Sequence, residues 1–376
     1  MRNEKLHLNA EDSKLLTRVM TLGSGTSLPV VMTPSELTKL IGVIYYDTDL
    51  ADKLEAEHPG IWERINPKGD YYDLPDAWFL EPTPLEPGQH VEIMRTGAKQ
   101  IEDFTTYLRC LSELHKRRRK YSLILSAQPL PTITMVQVSP RALMEYGRTD
   151  PEALASWLTW RKFFYDLDNR SAQETGYLFE PILAAAIGGE PKGAKAGVVK
   201  RTGDVSRGRQ VDCWKILPDG RRLAYEFKLR VTIAASGQGR FAEEVQFAED
   251  CQNSGAVPIL IVLDPTMNPR LADLQNAYSA KGGFAYLGDA AWEHLEQEAG
   301  RTMARFIEKY VRRPVADVSQ FGEQLSSDLG QRPFAPLDLE ARHLGNEIII
   351  RLSSFERRFT RKEDKSLSDD SDEMEP

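Results

Sequence analysis

The sequence predicts an α/β fold in which a mixed central β-sheet is flanked by helices, preceded by an N-terminal α+β region. Three observations carry this. From Pro151 onward the patterns run helix, hairpin, helix, strand, helix, strand. Residues 257–263 form an apolar run that reads as a buried strand. Between residues 217 and 221, Pro218-Asp219-Gly220 has the composition of a hairpin turn joining two strand-like runs.

Taken in order, the first 150 residues mix short helical and extended patterns with many prolines, and residues 84–88 and 129–131 read as turns. Residues 99–119 have helical spacing through Ile101, Phe104, Tyr107, Leu108, Leu111 and Leu114. This segment ends in the basic run His115-Lys116-Arg117-Arg118-Arg119-Lys120, followed by two extended runs, 121–126 and 132–138. Two readings of the basic run stand: a solvated helix C-terminus that complements the macrodipole, or a patch that contacts phosphates. Helices are then expected over 151–165 and 172–187, a Gly/Lys-rich loop over 188–208, and strands over 210–217 and 222–231. A helix over 240–252 leads to the strand at 257–263, and 271–280, 283–287 and 290–311 read as helix, strand and helix. Trp157, Trp160, Phe163 and Phe164 fall at helical spacing and read as core or dimer interface. The expected organisation is an N-terminal region over 1–150, a catalytic core over 151–315, an extension over 316–362 and a disordered acidic tail over 363–376.

Composition narrows the function. The chain has 376 residues, 41% hydrophobic and 28% charged, as an ordinary globular protein does. No apolar run approaches the ~20 residues that span a bilayer, and the N-terminus lacks the apolar stretch of a secretory signal. Cys110, Cys213 and Cys251 are odd in number and widely spaced, which suits neither a disulfide framework nor a zinc site and points to the cytoplasm. Gly188-Gly189-Glu190-Pro191-Lys192-Gly193 lacks the ending of a P-loop, and Gly237-Gln238-Gly239 lacks dinucleotide-site spacing, so no nucleotide cofactor is expected. The net charge is −8, but it is unevenly spread. Residues 363–375 hold seven acids and one lysine, whereas residues 191–240 hold twelve Lys and Arg against four acids. Contact with phosphates answers to local charge, so DNA binding stays open.

The chemistry concentrates at the hairpin. Along 222–231, Leu223, Tyr225, Phe227 and Leu229 alternate onto one face, leaving Ala224, Glu226 and Lys228 on the other. A three-residue Pro-Asp-Gly loop, with Gly in the left-handed position, pairs 217 with 221 and sets Asp212 opposite Glu226. Two carboxylates directly opposed repel, unless a divalent cation sits between them. Asp212 and Glu226 would then hold Mg²⁺, while Lys228 orients or deprotonates a water or stabilises transition-state charge. The acid-x-Lys pattern alone is weak, since it recurs at Asp12–Lys14, Glu190–Lys192 and Glu363–Lys365. Glu226–Lys228 is distinguished by its apolar strand and by the acid on the preceding strand.

Asp212, thirteen residues, then Glu226-Phe227-Lys228 resembles the bipartite motif of the PD-(D/E)xK nucleases. The preceding Glu174-Thr175-Gly176-Tyr177-Leu178-Phe179-Glu180 is similar to the Gly-x-x-Phe-Glu pattern of many type II restriction endonucleases. Residues 173–300, and 229–241 in particular, look like the ApaLI-type group of these enzymes. The resemblance implies a restriction-endonuclease-like core, with Glu180 as a further acid at the metal site and Glu174 as its rival. Glu243, Glu244 and Gln246 on the following helix are marginal site candidates that read as solvated. Lys200, Arg201, Arg207, Arg209, Arg230 and Arg240 flank the motif strands and are the expected DNA contacts.

The reading is therefore a type II restriction endonuclease with Mg²⁺ as cofactor and double-stranded DNA as partner, a homodimer if its target is palindromic. The alternatives are a structure-selective or repair nuclease of the same fold, or a non-cleaving DNA-binding regulator.

Overall fold

The computed structural model describes residues 10–22, 29–83, 85, 87–127, 139–147, 150–229, 238–264, 269–317, 320, 339–344, 347–352 and 355–360. The expected extended run at 132–138, the turn at 129–131 and the acidic tail lie outside these residues.

The described residues of the N-terminal part are mostly helical. Its helices are α1 (Ala10–Met20), α2 (Pro34–Thr48), α3 (Ala51–Glu57), α4 (Ile61–Ile65), α5 (Asp76–Leu80), α6 (Pro87–Gln100), α7 (Phe104–Ala127) and α8 (Ser139–Tyr146). A minimal pair, β1 (Thr21–Leu22) and β2 (Val30–Val31), follows α1. The start of α2 is fixed locally. Thr33 Oγ1 accepts the Glu36 amide at 3.2 Å, the Glu36 carboxylate accepts the Thr33 amide at 2.6 Å, and Pro34 opens the first turn.

Two expectations fail in α7. Residues 121–126 are not extended but continue the helix, with Ile124 buried and Ser122 Oγ bonded to the Arg118 carbonyl at 3.3 Å. Burial of a helical face here outweighs the strand preference of Tyr, Ile and Leu. The basic run lies mid-helix, so it neither caps a helix end nor forms a solvated face. Lys116 is fully buried, with Nζ donating to the carbonyls of Arg18 (2.8 Å) and Thr21 (3.0 Å) and to Glu113 (2.6 Å). His115 and Arg119 both reach the buried Glu36 carboxylate, at 3.2 and 2.6 Å. The Arg118 guanidinium lies over the rings of Tyr71 and Tyr72.

The long helix α9 (Pro151–Ala186) replaces the two expected over this stretch. Asp150 caps it, its carboxylate accepting the Ala153 amide at 2.8 Å. The polar middle stays helical because Lys162 pairs with Asp166 and Arg170 with Glu174, each one turn apart. Of its aromatic group, Phe163 is buried whereas Trp157 and Phe164 are largely exposed.

The strands then follow: β3 (Glu190–Lys192), β4 (Val199–Arg201), β5 (Asp204–Arg209), β6 (Val211–Ile216) and β7 (Arg222–Lys228). The expected loop at 188–208 thus contains β3 and the separate β4–β5 hairpin. Next come α10 (Gln238–Asn253), β8 (Val257–Val262), α11 (Pro269–Ala280), β9 (Phe284–Leu287) and α12 (Asp289–Ile307). A third small antiparallel sheet is formed by β10 (Leu339–Leu344), β11 (Glu347–Leu352) and β12 (Phe355–Thr360).

The central sheet has five strands in the order β3-β6-β7-β8-β9 and is mixed: the β3–β6 and β6–β7 pairs are antiparallel, β7–β8 and β8–β9 parallel. Helices cover both faces. Leu223, Tyr225, Phe227, Ile259 and Ile261 pack with Ile182 and Leu183 of α9 and with Trp292, Leu295 and Met303 of α12. Ala224, Leu260 and Val262 pack on the other side with Phe247, Ala248 and Cys251 of α10 and Leu274 and Tyr278 of α11. The first of these clusters continues without a gap through Tyr107 and Leu111 of α7 into Leu40, Ile41 and Ile44 of α2.

A buried ion pair joins α7 to α9. The Arg117 guanidinium lies 3.7 Å from the Glu174 carboxylate, which also pairs with Arg170 at 3.1 Å. Removing one partner from a buried pair typically costs about 3–5 kcal/mol. Glu174→Ala is therefore expected to lower stability by that order in urea unfolding, and a loss below ~1 kcal/mol would show that the pair does not hold the two helices together.

Candidate active site

The hairpin has the register expected from its turn. Cys213 pairs with Tyr225, Trp214 with Ala224, Lys215 with Leu223 and Ile216 with Arg222. The Leu217 amide donates to the Arg221 carbonyl and the Gly220 amide to the Leu217 carbonyl, both at 2.9 Å. Gly220 has φ +84°, the left-handed conformation this loop requires.

Continued by one step, this register sets Asp212 across from Glu226, and there the ladder gives out. The Phe227 amide donates to the Asp212 carboxylate, at 2.9 Å. The two strands are joined by a side chain at the point where the acids sit. Glu226 and Lys228 share one face of β7, and the Lys228 ammonium bonds to the Glu226 carboxylate.

Glu180 joins this group from α9 and Glu174 does not. Glu174 is spent on Arg117 and Arg170, whereas Glu180 and Glu226 each act on the buried Asp212. The glycine of the Gly176-to-Glu180 spacing has a physical role. A Cβ at Gly176 would lie 3.1 Å from Glu180 Oε1, so its absence leaves the space into which that carboxylate folds.

Charge does not balance here. Burial, followed by the charges of Glu226 and Glu180, pushes the Asp212 carboxyl well above its ordinary value, against the opposing effects of Lys228 and the Phe227 amide. Burial and Glu226 push Glu180 up to about 7. For Lys228, burial alone would lower the pKa. The carboxylates of Glu226, Glu244 and Asp212 more than offset it and hold the ammonium above its ordinary value.

These residues fit a hard divalent cation by their chemistry. Among the described residues, no three His, Cys, Asp or Glu side chains converge closely enough to enclose a metal ion. Mg²⁺ does not require that, since it binds through one or two carboxylates and completes its shell with water and substrate oxygens. Asp212, Glu226 and Glu180 supply anionic oxygens whose mutual repulsion such a cation would relieve.

Comparison with known proteins gives a consistent result. The sequence model of the ApaLI-like restriction endonucleases matches residues 49–312. The type II restriction enzyme ApaLI of Acetobacter pasteurianus is 58% identical over 368 residues, covering 97% of this chain and 98% of the relative. The chain belongs to the ApaLI-like restriction endonuclease family. No solved structure gives a significant match to it, and among the described residues no helix is long and apolar enough to cross a membrane.

Within this family member, one acid of the site has only a faint sequence signal. Glu244, on α10, lies 3.2 Å from the Lys228 ammonium and is largely buried rather than solvated. Burial and Glu226 push its carboxyl up to about 7. Its neighbours belong elsewhere: Glu243 pairs with Arg201 and Arg209, and Gln246 bonds to Glu249 and Asp250. The only prior signal for Glu244 is its place on the helix after the motif.

The expected DNA-contacting residues divide. Lys200, Arg201 and Arg207 line an open cleft of about 1030 Å³ beside the β4–β5 hairpin, with Lys195 among them. Arg207 is highly exposed, 3.6 Å from Asp204. Arg209 is placed differently. It is buried, bonds to Asp250 at 2.7 Å, to the Glu243 carbonyl at 2.5 Å and to the Glu243 carboxylate at 3.1 Å, and stacks on Phe247. Its donors are turned inward, which suits a brace between β5 and α10 better than a phosphate contact. Arg230 and the side chain of Arg240 lie outside the described residues.

Glu180 and Glu244 carry a pH signature. Both titrate at about 7 in the folded chain, against 4.5 for an ordinary glutamate. Between those values the folded state binds more protons than the unfolded one, so stability is greater below the window and falls as pH rises through it. In EDTA, urea unfolding is expected to show that fall, and Glu180→Gln, uncharged at every pH, to flatten it. Stability that climbs with pH across the window, or an unaltered slope in the variant, would contradict the assignment.

Proposed function

We propose that the protein is a type II restriction endonuclease that hydrolyses double-stranded DNA at a specific sequence with Mg²⁺, using a PD-(D/E)xK core. The observation that carries this is the group Asp212, Glu226, Lys228 and Glu180, assembled where β6 and β7 part, in a member of a restriction endonuclease family. Asp212 and Glu226 would hold the cation, with Glu180 reaching it directly or through water. A bound divalent cation supplies Lewis-acid polarisation of a phosphoryl oxygen and lowers the pKa of an attacking water.

The protein's own part follows from its electrostatics. An ammonium held above its ordinary pKa donates hydrogen bonds and does not take up a proton. Such a group can orient the water and stabilise negative charge on the phosphorus oxygens. Water attacks the phosphorus directly, with no covalent enzyme intermediate. We assign the catalytic core to residues 151–315, and sequence recognition and subunit contacts to residues 1–150. A palindromic target would require a two-fold homodimer, each site cutting one strand.

The test is incubation with long unmethylated DNA of complex sequence, with Mg²⁺ and with EDTA. Discrete fragments that need Mg²⁺ are expected. A metal-dependent smear would indicate a non-specific or structure-selective nuclease, and binding without cleavage a regulator. Lys228→Ala should reduce cleavage by at least about 10²-fold while leaving DNA affinity nearly unchanged; efficient cutting by that variant would remove the assigned role. In the basic cleft, Lys200→Ala, Arg201→Ala and Arg207→Ala together should reduce the slope of log affinity against log salt by about 3. An unchanged slope would make these residues ordinary surface charges.

A further inference from the structure

Lys228 has two carboxylate partners, and they do not have the same obligations. Glu226 sits two residues earlier on the same strand and is assigned above to the cation. Its Oε1 holds the ammonium, so a cation on the same carboxylate would share its charge with Lys228. Glu244 reaches Lys228 from a different element, α10, at 3.2 Å, with only 12% of its side chain exposed.

The helix is set in a fixed orientation. One side of α10 is braced to the β4–β5 hairpin: Asp250, fully buried, accepts from Arg209 at 2.7 Å, from the Thr202 amide at 2.7 Å and from Gln246 at 3.2 Å. Glu243 is turned to the same arginine. Residue 244 is about 100° further round the helix, which turns it toward β7. Phe247, Ala248 and Cys251 hold the helix on the sheet below it. A carboxylate on so constrained a frame fixes the far end of a long, flexible lysine, whose rotamer freedom is otherwise large.

We infer that Glu244 is a positioning residue for Lys228, holding its ammonium at the reacting phosphate when Glu226 is engaged elsewhere. This rests on the role assigned to Lys228 above. Glu244 keeps the ammonium aimed, and makes no contact with substrate itself. Supporting groups of this kind typically change rates by about 10- to 100-fold.

The test uses the full-length protein with Glu244→Gln, Glu244→Asp and Glu244→Ala. Glu244→Gln, which keeps size and loses charge, should lower kcat about 10- to 100-fold, with KM and metal-free DNA affinity within about twofold. Glu244→Asp, which keeps charge and loses reach, should recover part of that loss. In EDTA, the ¹³C signal of methylated Lys228, assigned by its absence in Lys228→Ala, should move in Glu244→Gln. Parental kcat in Glu244→Gln and Glu244→Ala, alongside an inactive Lys228→Ala, overturns the positioning role alone. So does an unmoved Lys228 signal, or a loss of DNA affinity in step with kcat. Parental cutting by Lys228→Ala instead overturns the reading on which this inference rests.

Discussion

Four carboxylates and one ammonium meet where β6 and β7 separate: Asp212 from β6, Glu226 and Lys228 from β7, Glu180 from α9 and Glu244 from α10. Like charges repel more strongly in a partly buried setting than in water. A chain that places four acids together must neutralise some of them. Here the Phe227 amide and the Lys228 ammonium do part of this, and the raised carboxyls of Glu180 and Glu244 mark what is left. A divalent cation would neutralise that remainder. Most local features of the site serve this concentration of charge, from the space left by Gly176 to the bracing of α10.

The buried carboxylates Glu36 and Asp250 behave differently. Burial works against the Glu36 carboxylate, yet bonds from His115 and Thr33 and the charge of Arg119 hold it below its ordinary value. Asp250 is likewise buried, and its bonds to Thr202, Gln246 and Arg209 hold it down. Lys39 spans from α2 to the carbonyls of Trp78 and Glu81, and Lys116 fills its three donor positions. These groups are satisfied and hold elements in place. At Asp212, Glu180 and Glu244 the sign is reversed: burial and like charge dominate, and the acids are pushed up. Several carboxyls pushed up together by burial and by one another are what a functional site looks like.

What could be read from sequence was what local chemistry decides. The Pro218-Asp219-Gly220 turn fixes the hairpin register within a few residues, so the relation of Asp212 to Glu226 was legible. The apolar run at β8 and the helix that follows β7 were legible for similar reasons. The errors fall where distant parts of the chain decide. Residues 121–126 are helical because they continue α7 and bury Ile124, and the basic run is interior because Glu36 and Glu174 arrive from other helices while Glu113 meets Lys116 from one turn away. Arg209 resembled a surface cation until Asp250, on another element, neutralised it. Glu244 and Glu243 are adjacent, and no local pattern separates a side chain facing the site from one facing the hairpin.

Topology explains why Glu244 arrives at all. In the central sheet β7 lies antiparallel to β6 and parallel to β8. A parallel neighbour requires the chain to leave the end of β7, cross one face and return to the start of β8. The crossing element is α10, so its early turns lie near the end of β7, where Lys228 is the last residue of the strand. Glu244 falls in the second turn of that helix. Helix α9 covers the opposite face and brings Glu180 to the same end. Where the β6–β7 pairing stops, that edge of β7 is open, and acids from both helical layers approach it. The site thus follows from one change of strand direction. The antiparallel partner supplies Asp212 and the parallel crossover supplies Glu244, with Glu226 and Lys228 fixed between them.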